Sequence, residues 1–403
     1  EYRALEVTLD SIADRVSAER PSVNVKKIHT DAYQQQTSAG GNRYPEAKEA
    51  IENAIELGAL IVNYFGHGGE DGLAKEFIYT KETAQDLRNS DRYPCFVTVT
   101  CEFSKFDNPL RVTAGELTFW NAQGGAASLI TTTRSVSVTL GVDFNTLLSE
   151  YLFGYGLDQP PVPAEALRLA KNLIGSNNKR VIFYIGDPAM HLAFPKKQIR
   201  LTAINDSPLG VASDTLQALG RVKLSGVVLD PEGNALPDYN GLLQVKVFDK
   251  DVQRATLAND GIRDNGTDYD NDGNTTNLLI MNFKTLGEVL FNGQATVTNG
   301  AFDFEFIVPR DIQIPVGQGK VSFYARRNAQ FEDQTGYNLN VLVGGINENA
   351  PQDLQGPEID LFMNDDSFIS GGTTNNNPIL IVKLEDLSGL NTTGGLSLIH
   401  ISE

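Results

Sequence analysis

Two side chains in this sequence could act together as a nucleophile and its proton acceptor. The run ALIVNYF (59–65) is short, β-branched and aromatic, which predicts a buried strand, and His67 follows it between two glycines. The run CFVTVTC (95–101) predicts a second strand that ends at Cys101, 34 positions after His67. This interval accommodates one helix and a return strand. We therefore expect the two side chains to meet above neighbouring strand ends.

A cysteine beside a histidine predicts nucleophilic catalysis. The thiolate is the reactive form, and a nearby imidazole lowers the thiol pKa and later protonates the leaving amine. The backbone N–H groups of Gly68 and Cys101 are the candidate oxyanion hole. The alternatives are a loop histidine without a task and a buried structural thiol, the commonest state of cysteine. Cys95 fits that state, whereas Cys101, followed by Glu102 and Ser104, fits it poorly.

The two cysteines are not expected to form a disulfide. Cys95 and Cys101 stand at opposite ends of one extended run, so about 20 Å separates them. A disulfide requires Cα atoms within about 7 Å of each other. The absence of disulfides does not decide the compartment, because large exported bacterial proteins also dispense with them.

Composition excludes some classes of protein. The formal net charge of −18 disfavours nucleic acid as a partner. No apolar stretch approaches the roughly 20 residues that cross a bilayer. The first residues, EYRALEVTLDSIADRV, lack the pattern of a signal peptide and predict an amphipathic helix inside a domain. We therefore expect the natural amino terminus to lie upstream.

The pattern of elements divides the 403 residues into three parts. Strands, including one over VKKIHTDAY (25–33), alternate with helices over residues 1–197, which predicts a parallel sheet in an α/β/α sandwich. Short alternating runs over residues 198–345 predict an Ig-like β-sandwich. Residues 346–403 comprise a linker and a β-module too short to close a sandwich. We therefore expect the carboxyl terminus to be truncated as well.

One acidic loop has the spacing of a calcium site. Asp268, Asp270 and Asp272 alternate with other residues before Gly273, but the twelfth position is Leu279, where a calcium loop has a bidentate glutamate. This departure favours a solvated acidic loop and leaves a structural Ca²⁺ open. The predicted chemistry requires no cofactor.

Three segments, NYFGHGG, VTVTCEF and IGDPAMHLAFPK, resemble in order and spacing the gingipain-type (C25-like) cysteine peptidases, which have a caspase-like fold. The resemblance implies that His67 is the general base and acid and that Cys101 is the nucleophile. The long third match and the β-modules favour the sortase branch of this family, which serves the type IX secretion system.

This resemblance also implies a reaction, partners and a place in the cell. Such sortases cleave the C-terminal signal domain from exported cargo and pass the acyl group to a lipopolysaccharide amine. They act at the bacterial cell surface, held at the outer membrane by a barrel-type partner. The alternatives are a secreted gingipain-like endopeptidase and a non-catalytic surface-binding protein on the same fold.

The sequence departs from the family pattern at both ends. The acidic residue that orients the histidine in this family is expected upstream of residue 1, so Asp31 is a substitute candidate. The final LSLIHISE (396–403) breaks the pattern after Gly395 and resembles a translated adapter sequence. We therefore assign no role to His400.

Overall fold

The computed structural model describes residues 2–157, 159–210, 215–259, 261–263, 277–350 and 356–386. The chain divides into two compact units. Unit 1 comprises Glu1–Phe194 with Gln253–Thr285, and unit 2 comprises Pro195–Val252 with Leu286–Glu403. The domain bounds expected from the sequence, with a boundary at residue 197, stay predictions. Residues 253–285, however, which the sequence analysis places in the β-sandwich, belong to unit 1.

The helices that the structure describes all lie in unit 1, and none of them is long and apolar enough to cross a membrane. Their bounds are α1 Tyr2–Glu19, α2 Pro45–Glu56, α3 Lys81–Asp86, α4 Ala114–Trp120, α5 Val138–Leu152 and α6 Pro163–Leu173, with 3-10 turns at Thr30–Ala32 and Asn177–Val181. The first strands of unit 1 are β1 Gln36–Ser38, β2 Gly41–Arg43, β3 Ile61–Phe65, β4 Gly68–Gly69, β5 Gly72–Leu73, β6 Tyr79–Thr80, β7 Cys95–Val99, β8 Ser128–Thr132 and β9 Ile182–Ile185.

The central sheet of unit 1 has the strand order β3-β7-β8-β9. The first three strands are parallel, as predicted, but β9 is antiparallel to β8, so the prediction of a wholly parallel sheet is wrong. The reason is that two helices, α5 and α6, separate β8 from β9. The first helix carries the chain to the amino edge of the sheet, and the second returns it to the carboxyl edge. The strand β9 therefore starts where β8 ends.

Helices cover both faces of this sheet. Side chains alternate between the faces along each strand. On β7, Cys95, Val97 and Val99 pack in a core with α1, α5 and α6. Phe96 points the other way, into a core that includes residues of α2, α3 and α4. The structure thus confirms the predicted α/β architecture with its three layers.

Unit 2 is built from strands. Their bounds are β10 Lys196–Ile204, β11 Ser207–Pro208, β12 Leu216–Ala218, β13 Arg221–Val228, β14 Gly241–Phe248, β17 Val289–Val297, β18 Ala301–Ile307, β19 Gly317–Gln318, β20 Lys320–Arg327, β21 Asp333–Asn338, β22 Leu342–Ile346, β23 Glu358–Met363 and β24 Leu380–Glu385; the pair β15 Val252–Ala255 and β16 Asn282–Thr285 lies largely in unit 1. An eight-stranded and a three-stranded sheet share one hydrophobic core, and β23 and β24 form a separate hairpin. The Ig-like assignment and the truncated module stay predictions.

Candidate active site

The register of two parallel strands carries His67 and Cys101 to one edge of the sheet. Strand β3 pairs with β7 from Ile61 opposite Cys95 to Phe65 opposite Val99, a constant offset of 34 residues. His67 and Cys101 have the same offset, each two residues beyond its strand. Neighbouring strands lie about 4.8 Å apart. The carboxyl ends of β3 and β7 therefore start the two loops that carry the predicted pair.

The loop after β3, residues 66–72, is called the His67 loop below. A Cβ atom at Gly66 would lie 2.5 Å from the Tyr64 hydroxyl oxygen, so a larger residue here would displace the Tyr64 side chain. The Tyr64 hydroxyl donates a hydrogen bond to the His67 carbonyl oxygen at 2.6 Å, and the Ala74 N–H donates to the same oxygen at 2.8 Å. Burial raises the pKa of Tyr64, so its hydroxyl remains a donor. These bonds fix the His67 backbone while its side chain is exposed.

The His67 loop lies directly against the residue that precedes Cys101. A Cβ atom at Gly68 would lie 2.6 Å from Thr100 Oγ1 and 3.1 Å from the Gly72 carbonyl oxygen. Such distances are shorter than van der Waals contact. Gly68 is therefore needed for the close approach of the two strand ends. Its predicted role as an oxyanion donor stays a prediction.

We expect Gly68→Ala to lower kcat by about 100-fold, because a misplacement of about 1 Å between catalytic groups has an effect of this size. Gly69→Ala is the matched control, since a Cβ atom at Gly69 would meet nothing within 4 Å. Steady-state cleavage of a peptide substrate by both variants measures the difference. Equal kcat values for the two variants would contradict the close approach inferred from Gly68 and Thr100.

The loop after β7, residues 100–113, is called the Cys101 loop below. Cys101 is half-buried, and Glu102 has a φ of +56°, a left-handed conformation that is uncommon outside glycine. The Ser104 N–H donates to the Thr132 carbonyl oxygen of β8 at 3.1 Å. A Cβ atom at Gly115 would lie 2.0 Å from Ser104 Oγ. Strand β8 and helix α4 thus hold the turn that presents Cys101.

The other cysteine has the environment of a structural thiol. Cys95 is 0% exposed, in the core between the sheet and α5. Burial raises the pKa of its thiol to about 11. Almost none of it is thiolate at neutral pH. Both cysteines are free, in agreement with the expectation that no disulfide joins them.

Asp31, the substitute orienting acid, lies in the 3-10 turn Thr30–Ala32 and bonds to the segment 253–285. Its carboxylate oxygens accept hydrogen bonds from the Ala258 N–H at 2.7 Å and from the Asn259 N–H at 2.8 Å. The Asn259 Nδ2 donates to Asp31 Oδ1 at 3.0 Å. These bonds give Asp31 a structural role in holding residues 258–259 against the 3-10 turn. Orientation of His67 by Asp31 stays a prediction.

The calcium-like loop lies outside the described residues, since Asp268, Asp270 and Asp272 fall between residues 263 and 277. Within the described ranges, no three His, Cys, Asp or Glu side chains are grouped so that they could hold a metal ion. The terminal segment 396–403, with His400, is likewise outside the described part of the chain. The predictions for both segments stay predictions.

The third segment of the resemblance occupies the opposite edge of the sheet. Because β9 is antiparallel, Ile185 pairs with Leu129 near the start of β8, and the residues IGDPAM follow there. The Tyr184 hydroxyl donates to the Asp187 carbonyl oxygen at 2.9 Å and fixes this turn. This segment therefore lies away from the edge that carries His67 and Cys101, and it contributes to the family resemblance rather than to the predicted site.

One protein-family model matches part of the chain. Residues 2–193 match the model of peptidase family C25. No curated protein sequence matches the chain. Among solved structures, the chain is similar to dimeric latent PorU from Porphyromonas gingivalis, with 28% identity, a TM-score of 0.37 and coverage of 58% of this chain and 21% of PorU.

Two further structures are gingipains. The chain is 14% identical to the Arg-specific cysteine proteinase gingipain R, with a TM-score of 0.34 and coverage of 73% of this chain and 56% of that one. It is 15% identical to the complex of P. gingivalis RgpB pro- and mature domains, with a TM-score of 0.33 and coverage of 74% and 57%. The chain thus spans about a fifth of the length of latent PorU and just over half that of the gingipains.

Proposed function

We propose that Cys101 is the nucleophile and His67 the general base and acid, because residues 2–193 of this chain match the model of peptidase family C25, a family of cysteine peptidases. The observation that carries the proposal is the strand register, which gives both residues the same offset beyond β3 and β7. Cys101 also has the exposure that a nucleophile needs, whereas Cys95 does not.

The proposed reaction has two half-reactions. Cys101 Sγ, as thiolate, attacks the carbonyl carbon of the scissile peptide, and the protonated imidazole of His67 gives its proton to the leaving amine. The backbone N–H groups of Gly68 and Cys101 stabilise the oxyanion. An incoming amine then attacks the thioester, its proton passes to His67, and the thiolate leaves. The product is a new amide, and the enzyme returns to its starting state.

The proposed substrates are exported cargo proteins that carry a C-terminal signal domain, and the proposed acceptor is an amine of lipopolysaccharide. The sequence resemblance to the type IX secretion sortases supports this choice. It also supports a location at the bacterial cell surface, with a barrel-type protein of the outer membrane as partner. No step of the proposed chemistry requires a metal ion or another cofactor.

Mass spectrometry of the cleaved cargo tests the transfer step. A peptide that spans a signal-domain junction is incubated with the protein and an excess of an amine acceptor. We expect the cargo part to carry the amine through an amide bond, because the thioester reacts with the stronger nucleophile.

Cargo that ends only in a free carboxylate would contradict transfer and favour the gingipain-like endopeptidase. Cys101→Ala is the control, and its product spectrum should contain neither species. Uncleaved peptide together with an unreactive Cys101 in the wild-type protein would instead favour the non-catalytic surface-binding alternative.

A further inference from the structure

The two loops of the proposed site are joined by a set of ionic and hydrogen-bonded contacts. Glu70 and Asp71 follow His67 on the His67 loop, and their partners Lys105, Asn108 and Arg111 belong to the Cys101 loop. We infer that Glu70 and Asp71 are positioning residues, which hold the Cys101 loop in register with the His67 loop. The inference rests on the proposed function and names residues that act through Cys101 and His67.

The Glu70 contacts are the more buried ones. Its side chain is only 12% exposed. Glu70 Oε2 accepts a hydrogen bond from Asn108 Nδ2 at 3.1 Å, and Glu70 Oε1 lies 3.3 Å from Lys105 Nζ. The Glu70 carbonyl oxygen accepts a bond from the Ala114 N–H at 2.8 Å, at the start of α4. One residue therefore contacts the middle of the Cys101 loop and the first residue of the helix that follows it.

Lys105 extends this connection to the residue next to the proposed nucleophile. Its Nζ atom lies 3.0 Å from Glu102 Oε1, besides its contact with Glu70. The hydrogen bonds to Glu102 and Glu70 raise the pKa of Lys105, so the ammonium form persists at neutral pH. Because Glu102 has a left-handed φ, its side-chain contact supports the backbone conformation that follows Cys101.

The Asp71 contacts are more exposed and are bidentate. Arg111 Nη2 lies 2.6 Å from Asp71 Oδ1 and 2.7 Å from Asp71 Oδ2. Lys81 Nζ, at the start of α3, lies 2.7 Å from Asp71 Oδ1. The hydrogen bonds from Lys81 and Arg111 lower the pKa of Asp71. A lowered carboxyl pKa means that these bonds persist at neutral pH and are lost only as the solution becomes acidic enough to protonate Asp71.

Cleavage kinetics test the inference through kcat rather than stability. We expect Glu70→Ala to lower kcat by about 100-fold with little change in KM, since the nucleophile and base lose their alignment. Arg111→Ala should lower kcat by about tenfold. The matched control is Arg168→Ala, which removes an exposed Arg–carboxylate pair with Glu165 within α6 and should leave kcat unchanged.

A double-mutant cycle separates positioning from independent effects. If Asp71 and Arg111 act as one contact, Asp71→Ala/Arg111→Ala should be no slower than the slower single variant. Glu70→Gln retains an oxygen that can accept from Asn108 and loses the ion pair with Lys105, so its kcat should lie between those of wild type and Glu70→Ala. If Glu70→Ala does not fold, Glu70→Gln tests the inference in its place.

Alkylation of Cys101 by iodoacetamide distinguishes failure of this inference from failure of the proposed function. We expect Glu70→Ala and Arg111→Ala to slow alkylation of Cys101 at neutral pH relative to Arg168→Ala, because the imidazole that activates the thiol is displaced. Slower alkylation in a protein that cleaves no cargo peptide would support the positioning role and contradict the proposed function. Alkylation and kcat equal to those of the Arg168→Ala control would overturn the positioning role.

Discussion

Replacing Cys101 by alanine is expected to reduce cleavage of a cargo peptide to the background rate, whereas Cys95→Ala retains most of the activity. Only Cys101 lies at a strand end in register with His67, and only Cys101 is accessible. Cys95 is fully buried, and burial raises its thiol pKa to about 11. Cys95→Ala should therefore lower the free energy of unfolding by about 1 kcal/mol. Its kcat should stay close to that of the wild type.

The two variants form a matched pair, because each removes one thiol from the same run of sequence. Initial rates at neutral pH and a thermal unfolding curve are needed for each. The result that would contradict the assignment is a Cys101→Ala variant with measurable thiol-dependent cleavage, or a Cys95→Ala variant that is folded and inactive.

Replacing His67 by alanine should lower kcat by about 100- to 10,000-fold, the range that general acid–base catalysis contributes. Without the imidazole, the thiol loses its proton acceptor and the leaving amine loses its proton donor. Since His67 is exposed, its removal leaves the core intact, and the unfolding transition should change little.

The control for His67 is another exposed histidine of the same unit. His191 follows the IGDPAM turn at the opposite edge of the sheet, and His191→Ala should retain the wild-type kcat. Added imidazole should restore part of the activity of His67→Ala, because it can enter the space left by the side chain. A His67→Ala variant as active as His191→Ala would exclude His67 as the base.

The pairing of the two strands that precede His67 and Cys101 could be predicted from the sequence for a simple physical reason. Two apolar runs separated by one helix form neighbouring parallel strands, and the interval between equivalent positions then fixes which loop residues share an edge. The glycines around His67 predicted a turn, and the structure shows why Gly66 and Gly68 are needed, through their contacts with Tyr64 and Thr100.

Elsewhere local patterns were insufficient. The segment VKKIHTDAY has the composition of a strand, but it joins no sheet in the structure and ends in the 3-10 turn Thr30–Ala32. Its residue Asp31 bonds to residues 258–259, which are more than two hundred positions away. The antiparallel direction of β9 likewise depends on the path of two helices rather than on the strand sequence.

The contacts of Glu70 and Asp71 were also missed. The sequence GHGGED contains two acidic residues after His67, and KFDNPLR contains two basic residues after Cys101. Neither segment by itself indicates that the acidic and basic residues pair. The parallel register of β3 and β7 is what brings the two loops together. Opposite charges on loops that follow neighbouring parallel strands are therefore the signal that could have revealed these residues.

The most direct test of the central claim is to map the residue that reacts with an electrophilic cargo peptide. A junction peptide that ends in a chloromethyl ketone is incubated with the wild-type protein and with His67→Ala, and the modified residue is located by peptide mass spectrometry. The account predicts one adduct, on Cys101 Sγ, that forms far more slowly in His67→Ala. An adduct on Cys95, or equal labelling of Cys101 in both proteins, would contradict it.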